Sequence, residues 1–434
     1  MVLCQMLKQL INVPQGSVLG PFLFLLYIND ISEDIVNNIR LFADDTSLYG
    51  IVDNDIISVT KSLISDLEHI DVWSKKWLVE FNPNKTVNIN FSRKNIAYPC
   101  VKFGENGPDI VQNKSHTHLG VQFQSDAMWT SHILSIYERA TKRLNILRML
   151  KYKVKRKTLC KIYLAFIRPV LEYSDVVWDN CSEKDSKLLE DIQVEAARII
   201  TGLRCNSSRS KLYDELGWDL LKTRRNIHKL ILFYKIINGY SPQYLYDLIE
   251  PFLPSAHQYN LRTGALQFKI PNIRTTSYME SFFPSTVKQW NNLPDYIRNA
   301  SSISSFKNML KSYFCKKVNE LYHFGERRYN VLHCQIRNKA SNLNLDLYSQ
   351  GLSVTPMCDN CNNFIEDAYH YFFICSKYAT SRKILIHSIQ SVTGTDYQPE
   401  LDLLLYGSAN YEFDSNIKIF KAVHTYIAST KRFV

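Results

Sequence analysis

The stretch from Val13 to Gly50, VPQGSVLGPFLFLLYINDISEDIVNNIRLFADDTSLYG, constrains the fold of this chain more than any other. Within it, Leu41-Phe42 and Ser47-Leu48-Tyr49 read as the two arms of a β-hairpin, with Ala43-Asp44-Asp45 at its tip. Just upstream, Pro14-Gln15-Gly16-Ser17-Val18-Leu19-Gly20-Pro21 carries two glycines that allow a close backbone approach. Pro21 suits the first turn of a helix through the apolar residues Phe22 to Ile28. Two adjacent carboxylates on a tight turn repel each other and are costly unless solvated or neutralised by cations. Magnesium is the natural neutraliser, because it takes hard oxygen ligands and shares its shell with phosphates. An Asp-Asp pair alone reads equally as a polar turn. The Gln-Gly-Ser-Val-Leu-Gly-Pro segment beside it turns the reading toward chemistry.

The 434 residues allow two or three domains with cores of their own. A hydrophobic share of 45% and a charged share of 21% are ordinary for a folded soluble protein. The most apolar run, Val18 to Ile31, is interrupted by Gly20, Pro21, Asn29 and Asp30 and is too short for a membrane span. Met1 to Val13 lacks the charged, apolar and small-residue order of a secretory signal. The 10 cysteines form no disulfide framework, which points to a reducing compartment, cytosol or nucleus. The 52 Lys and Arg outnumber the 41 Asp and Glu, and the excess is local. Arg139 to Arg168 holds 11 basic residues and no acidic one, which equals the whole net charge of +11. A field concentrated in this way selects for a phosphate backbone.

Residues 1–12 are too few for an independent element. Helical periodicity runs from Asn54 to Trp77 through Ile57, Leu63, Ile64, Leu67, Ile70 and Trp73. Asn82-Pro83-Asn84-Lys85-Thr86 then leads into the strand-like Val87-Asn88-Ile89-Asn90-Phe91. His132 to Leu150 is an amphipathic helix with Arg139, Lys142, Arg143 and Arg148 mostly off its apolar stripe. The run Lys153-Val154-Lys155-Arg156-Lys157 follows it. Lys161–Trp178, Lys187–Ile200 and Leu216–Asn238 read as further helices, with Tyr163, Tyr173, Trp178 and Leu188 as packing residues and His228 as a surface or half-buried histidine. Pro251 to Tyr278 reads as a linker, and Ile303 to Val318 as an amphipathic segment. Finally, Cys358-x2-Cys361-x8-His370-x4-Cys375 has the composition of a closed tetrahedral zinc site. Such a site leaves no open position for substrate, so its role is folding or nucleic-acid binding.

The pairing of Gln15-Gly16 with Phe42-Ala43-Asp44-Asp45 resembles the palm of non-LTR (LINE-type, jockey-like) retrotransposon reverse transcriptases. The resemblance implies an α+β fold. It comprises a partial palm over 1–125, a helical thumb and connection over 126–250, a linker and helical segment over 251–330, and a mostly helical C-terminal domain with a zinc knuckle over 331–434. It implies magnesium on Asp44 with Asp45 in support, nucleotide and template contacts at Gln15, Gly16 and Phe42, and a triphosphate contact at Lys85. His118-Leu119-Gly120-Val121 matches the family's primer-gripping hairpin. Nucleic-acid contacts are expected at Arg139, Lys142, Arg143, Lys153, Lys155, Arg156 and Lys157, and zinc at Cys358, Cys361, His370 and Cys375. The implied partners are an RNA template, a DNA primer or target, dNTPs and the upstream part of the same polyprotein, in nucleus and cytoplasm, with no membrane. The family also carries a further metal-binding aspartate and fingers ahead of the Gln-Gly segment. Nothing upstream of Pro14 supplies them, so the chain is expected to begin in mid-palm and to be inactive alone. A second reading is a non-catalytic, zinc-containing nucleic-acid-binding remnant. A magnesium phosphotransferase of another kind is disfavoured, because the chain has no Gly-rich phosphate loop with lysine.

Overall fold

The computed structural model describes residues 18–53, 55–82, 84–92, 98–103, 107–251, 266–361, 363–394, 398 and 400–433, and the backbone of 2–7. The chain divides into two compact units, 1–132 and 133–434.

The first unit is built on a mixed sheet. Its strands are β1 (Val2–Leu7), β2 (Asn38–Phe42), β3 (Asp45–Tyr49), β4 (Glu80–Phe81), β5 (Val87–Asn88) and β6 (Val111–Gln112). The order is β2-β3-β1-β5-β6, with β4 also pairing to β1. Val2–Leu7, within a stretch that has no element by sequence alone, thus supply the strand between β3 and β5. Leu3 lies opposite both Ser47 and Val87, so β3 and β5 run parallel to each other across β1. A separate hairpin pairs β7 (Ser115–His118) with β8 (Val121–Gln124).

Two helices pack in this unit. The apolar run forms α1 (Leu19–Ile28), and the periodic stretch forms α2 (Ile56–Trp77). The Asp55 side chain caps α2 by accepting from the Ile57 and Ser58 amides at 3.0 Å each. Leu63, Leu67, Ile70 and Trp73 of α2 are buried together with Ile28, Ile31 and Leu48. Two aspartates tie these elements together. Asp30 accepts from the indole nitrogens of Trp73 at 2.8 Å and Trp77 at 3.1 Å. The buried Asp66 accepts from the Val36 and Asn37 amides at 2.9 and 2.8 Å, which fixes the approach to β2.

The second unit is helical. Its main helices are α3 (Thr130–Leu150, shared with the end of the first unit), α4 (Arg156–Ile162), α5 (Glu183–Thr201), α6 (Arg209–Leu216) and α7 (Leu221–Ile237). They are followed by α8 (Phe282–Asn291), α9 (Ile303–Phe314), α10 (Arg327–Arg337), α11 (Ala379–Thr393) and α12 (Phe413–Thr430). The stripe of α3 (Ile133, Ile136, Ala140, Leu144 and Leu147) is buried throughout. The single helix expected over 161–178 is broken. A π-turn at Tyr163–Ile167 precedes Pro169, whose missing amide cannot continue the α ladder, and Ser174 takes φ +50° before the short helix Asp175–Trp178. Tyr163 and Trp178 are buried, but Tyr173 sits on this break and is 48% exposed, so it is not a core residue. The expected helix start at Leu216 moves to Leu221, because Gly217 ends α6 with φ +62°. His228 is partly buried and is held by Asp175, with Nδ1 to Oδ2 at 2.6 Å.

Within the second unit an ion pair joins helices from either side of residues 250 and 330. Glu215 of α6 sits fully buried between two arginines, Arg156 of α4 (2.8 Å) and Arg337 of α10 (2.6 Å). Burial alone would raise the Glu215 carboxyl, but the two guanidiniums overcome it and bring it down to about 2. Glu215→Ala would leave two charges buried without a counter-ion. It is expected to destabilise the fold by about 3–5 kcal/mol, read as a lower urea midpoint. An unchanged midpoint would mean that water reaches the triad and replaces the carboxylate.

Candidate active site, basic segment and metal centre

β2 and β3 join through a two-residue loop, Ala43-Asp44, and Phe42 pairs with Asp45. The expected three-residue tip is therefore one residue shorter, and Asp45 is the first residue of β3. Ala43 turns the chain at φ +50°, a left-handed conformation that a residue with a Cβ adopts at a cost of about 1 kcal/mol. Asp44 and Asp45 are both half-buried, and Phe42 is 63% exposed beside them.

The strand register places Lys85 at the same end of the sheet. Asp45 lies opposite Gln5, and Lys85 lies two residues before Val87, which pairs with Leu3. One strand intervenes, so the separation across the sheet is about 10 Å. An Asx turn sets the Lys85 backbone. The Asn82 side chain accepts from the Asn84 amide at 3.0 Å, and its carbonyl accepts from the Lys85 amide and the Thr86 hydroxyl. The Lys85 side chain itself is exposed.

The β7–β8 hairpin completes this corner. Its two-residue loop, Leu119-Gly120, has positive φ at both positions, +48° and +77°, the turn that matches strand twist and that Gly120 makes accessible. His118 Nε2 lies 3.4 Å from Ser47 Oγ, two residues along β3 from Asp45. Burial holds both His116 and His118 below the usual imidazole range, and the Asp45 carboxylate opposes it at both. Gln15 and Gly16 lie outside the described residues. Sequence patterns alone miss His116, Asp30 and Asp66. An aspartate on the apolar stripe of α2 (Asp66, between Leu63 and Leu67) is the one available signal.

The structure sorts the basic residues into three groups. Lys142, Lys153 and Lys155 are exposed and carry no ion pair among the described residues, and Arg139 is exposed with its Nε on the Ser135 carbonyl. Arg143 and Lys157 are engaged. Arg143 donates to the Phe166 carbonyl and covers the Phe166 ring at 4.4 Å, while Lys157 reaches Glu320 at 3.5 Å. Arg156 corrects the expectation. It is 1% exposed and spent on Glu215, so it cannot meet a phosphate.

The four Cys and His residues of the C-terminal region converge. One ligand atom of each of Cys358, Cys361, His370 and Cys375 lies within 4.8 Å of the others. Cys375 Sγ is 3.9 Å from Cys358 Sγ and 3.7 Å from Cys361 Sγ. A tight turn carries the first pair, with the Cys358 amide donating to the Phe364 carbonyl at 2.8 Å. A π-turn, His370–Ile374, carries the second pair. Arg382 holds that turn by donating to the carbonyls of Phe372 (2.7 Å) and Cys375 (2.6 Å). A hydrogen bond from the Ser376 backbone amide brings the Cys361 thiol down to about 7. Both ring nitrogens of the buried His370 lack a hydrogen-bond partner among the described residues. An imidazole buried in this way is costly unless something binds it, and a metal held by three thiolates fits the donor set.

Residues 5–123 match the family described as Reverse transcriptase (RNA-dependent DNA polymerase). Over 206 residues, 44% of this chain and 22% of the relative, the sequence is 27% identical to the RNA-directed DNA polymerase from mobile element jockey of Drosophila melanogaster. It is 25% identical over 202 residues, 44% of the chain and 22% of the relative, to the probable RNA-directed DNA polymerase from transposon BS of the same species. A similar protein from transposon X-element, also of that fly, is 25% identical over 250 residues, 55% of the chain and 25% of the relative. The chain spans a quarter or less of the length of these curated relatives.

Proposed function

We propose, from the premise that this chain carries a reverse transcriptase domain similar to those of jockey-like non-LTR retrotransposons, that it forms part of an RNA-directed DNA polymerase. It would extend the 3′ end of a DNA primer or nicked target on an RNA template, consuming dNTPs. The observation that carries this reading is the β2–β3 loop, which presents Asp44 and Asp45 at the sheet end that also receives Lys85. Asp44 would hold magnesium with Asp45 in support, and the bound ion would neutralise charge developing on the transferred phosphate. Lys85 would meet the triphosphate, and Phe42, Gln15 and Gly16 the nucleotide and template. A two-metal site needs more carboxylates than this pair, so the polymerase would work together with further polypeptide of a longer polyprotein. Zinc on Cys358, Cys361, His370 and Cys375 would be structural. Nucleus and cytoplasm are the compartments where such an element would meet its RNA and its target.

Primer extension tests the reading. Magnesium-dependent incorporation of dNTPs opposite an RNA template, by the chain joined to the polypeptide that completes its palm, is the expected result. Tight, salt-dependent nucleic-acid binding with no incorporation would favour a binding remnant instead. For the basic segment, replacing Lys142, Lys153 and Lys155 by alanine is expected to lower the slope of log affinity against log salt on a duplex. The slope falls by about 0.9 for each phosphate that is no longer neutralised. An unchanged slope would place the duplex elsewhere.

A further inference from the structure

Arg327, at the start of α10, ties together the ends of two other helices. Its guanidinium donates to the Lys151 carbonyl just beyond α3 at 3.2 Å, and to the carbonyls of Ile199 (2.6 Å) and Ile200 in the last turn of α5. Beside this clamp a cleft of about 450 Å³ opens, within the range of small-ligand sites. Its walls include Lys151, Tyr152, Arg328, Val331, Leu332 and Phe433. With Arg327 the lining holds three cations and, among the described residues, no carboxylate.

The two rings are held differently. Phe433 is a fixed wall, because its ring packs 5.4 Å from that of Tyr371 and the neighbouring Arg432 is paired to Glu366. Tyr152 stands in solvent, 83% exposed, with the Lys151 ammonium 5.1 Å from its ring centroid. Lys153 and Lys155, exposed and close in sequence, add further positive charge. A purely phosphate-binding surface has no use for an exposed ring that shares a cleft with the apolar Val331 and Leu332. A flat, uncharged heteroaromatic group on a polyanionic strand uses both. In a duplex each base face is already covered by its neighbours, so the ligand must be unpaired.

We propose, on the premise that the chain handles nucleic acid, that this cleft binds single-stranded nucleic acid. One unpaired base stacks on Tyr152, and the adjoining phosphates lie against Lys151 and Arg328. Neither the hairpin carboxylates nor the cysteine cluster takes part.

Fluorescence anisotropy on the full chain tests this with three probes: a short oligouridylate, an oligothymidylate of the same length, and a duplex of matching length. Tyr152→Ala is expected to weaken single-strand binding about tenfold while leaving duplex binding unchanged, and Tyr152→Phe is expected to keep wild-type affinity. Loss on the RNA arm, the DNA arm or both supports the cleft and names the strand it takes. Wild-type affinity in Tyr152→Ala, or an equal loss on the duplex, overturns the cleft and leaves the nucleic-acid reading intact. A wild-type chain that binds none of the probes overturns both. The exposure of Tyr152 keeps the substitution from disturbing the fold, and an unchanged melting temperature verifies it.

Discussion

In the chain joined to the polypeptide that completes its palm, Asp44→Ala is expected to lower template-directed primer extension by about a thousandfold or more, corresponding to roughly 4 kcal/mol of barrier. The size follows from what a metal does at a phosphoryl centre: it offsets charge that no side chain nearby can match. Asp44 occupies the loop of the β2–β3 hairpin and Asp45 the first strand position, so the two are not equivalent. Asp45 also faces the electrostatic neighbourhood of His116 and His118. Asp45→Asn is therefore expected to cost less than Asp44→Ala. Because Asp44 is half-exposed in a loop, its removal should shift stability by no more than about 0.5 kcal/mol, and lost activity would not reflect unfolding. Extension at wild-type rate in Asp44→Ala would remove this residue from the chemistry.

Metal analysis of the full chain should give one equivalent of zinc, absent in Cys358→Ser. Structural zinc sites of this ligand type are worth about 10–16 kcal/mol in apparent binding energy at neutral pH, which appears as folding energy. A chelator should accordingly lower the melting temperature well beyond what an ordinary core substitution does. Cys358 and Cys375 are buried with Tyr371, Phe372 and the α11–α12 pair, so the loss should spread through that cluster rather than stay at the four ligands. A metal-free chain that melts at the same temperature with and without chelator would end the zinc assignment.

Features legible in the sequence share a physical origin: they repeat or cluster over a few residues. The stripes of α2 and α3 show because each buried position recurs within one or two turns. The hairpin shows because Asp44-Asp45 interrupts two apolar arms, and the cysteine-histidine cluster because its four members fall within 18 residues, Cys358 to Cys375. What stays hidden depends on distant partners. Arg156 sits in a run of lysines that reads as solvated, and its Glu215 lies 59 positions further on. The alignment of Lys85 with Asp45 depends on β1, a strand too short to announce itself by periodicity. The break before Trp178 shows the converse case. Pro169 is plain in the sequence, yet the apolar run around it masks the effect of its missing amide.

The Arg156–Glu215–Arg337 triad and the Arg327 clamp bear on how such a chain can be inherited. A segment that moves freely between genes carries a closed core and meets its host through a surface that water can replace. Here the region bearing the cysteine cluster leaves a guanidinium inside helices that lie more than a hundred residues earlier, and takes a carboxylate in return. Grafted onto another scaffold, it would arrive with Arg337 buried against nothing. The cysteine-bearing end and the basic helices of residues 133–434 are therefore expected to diverge together.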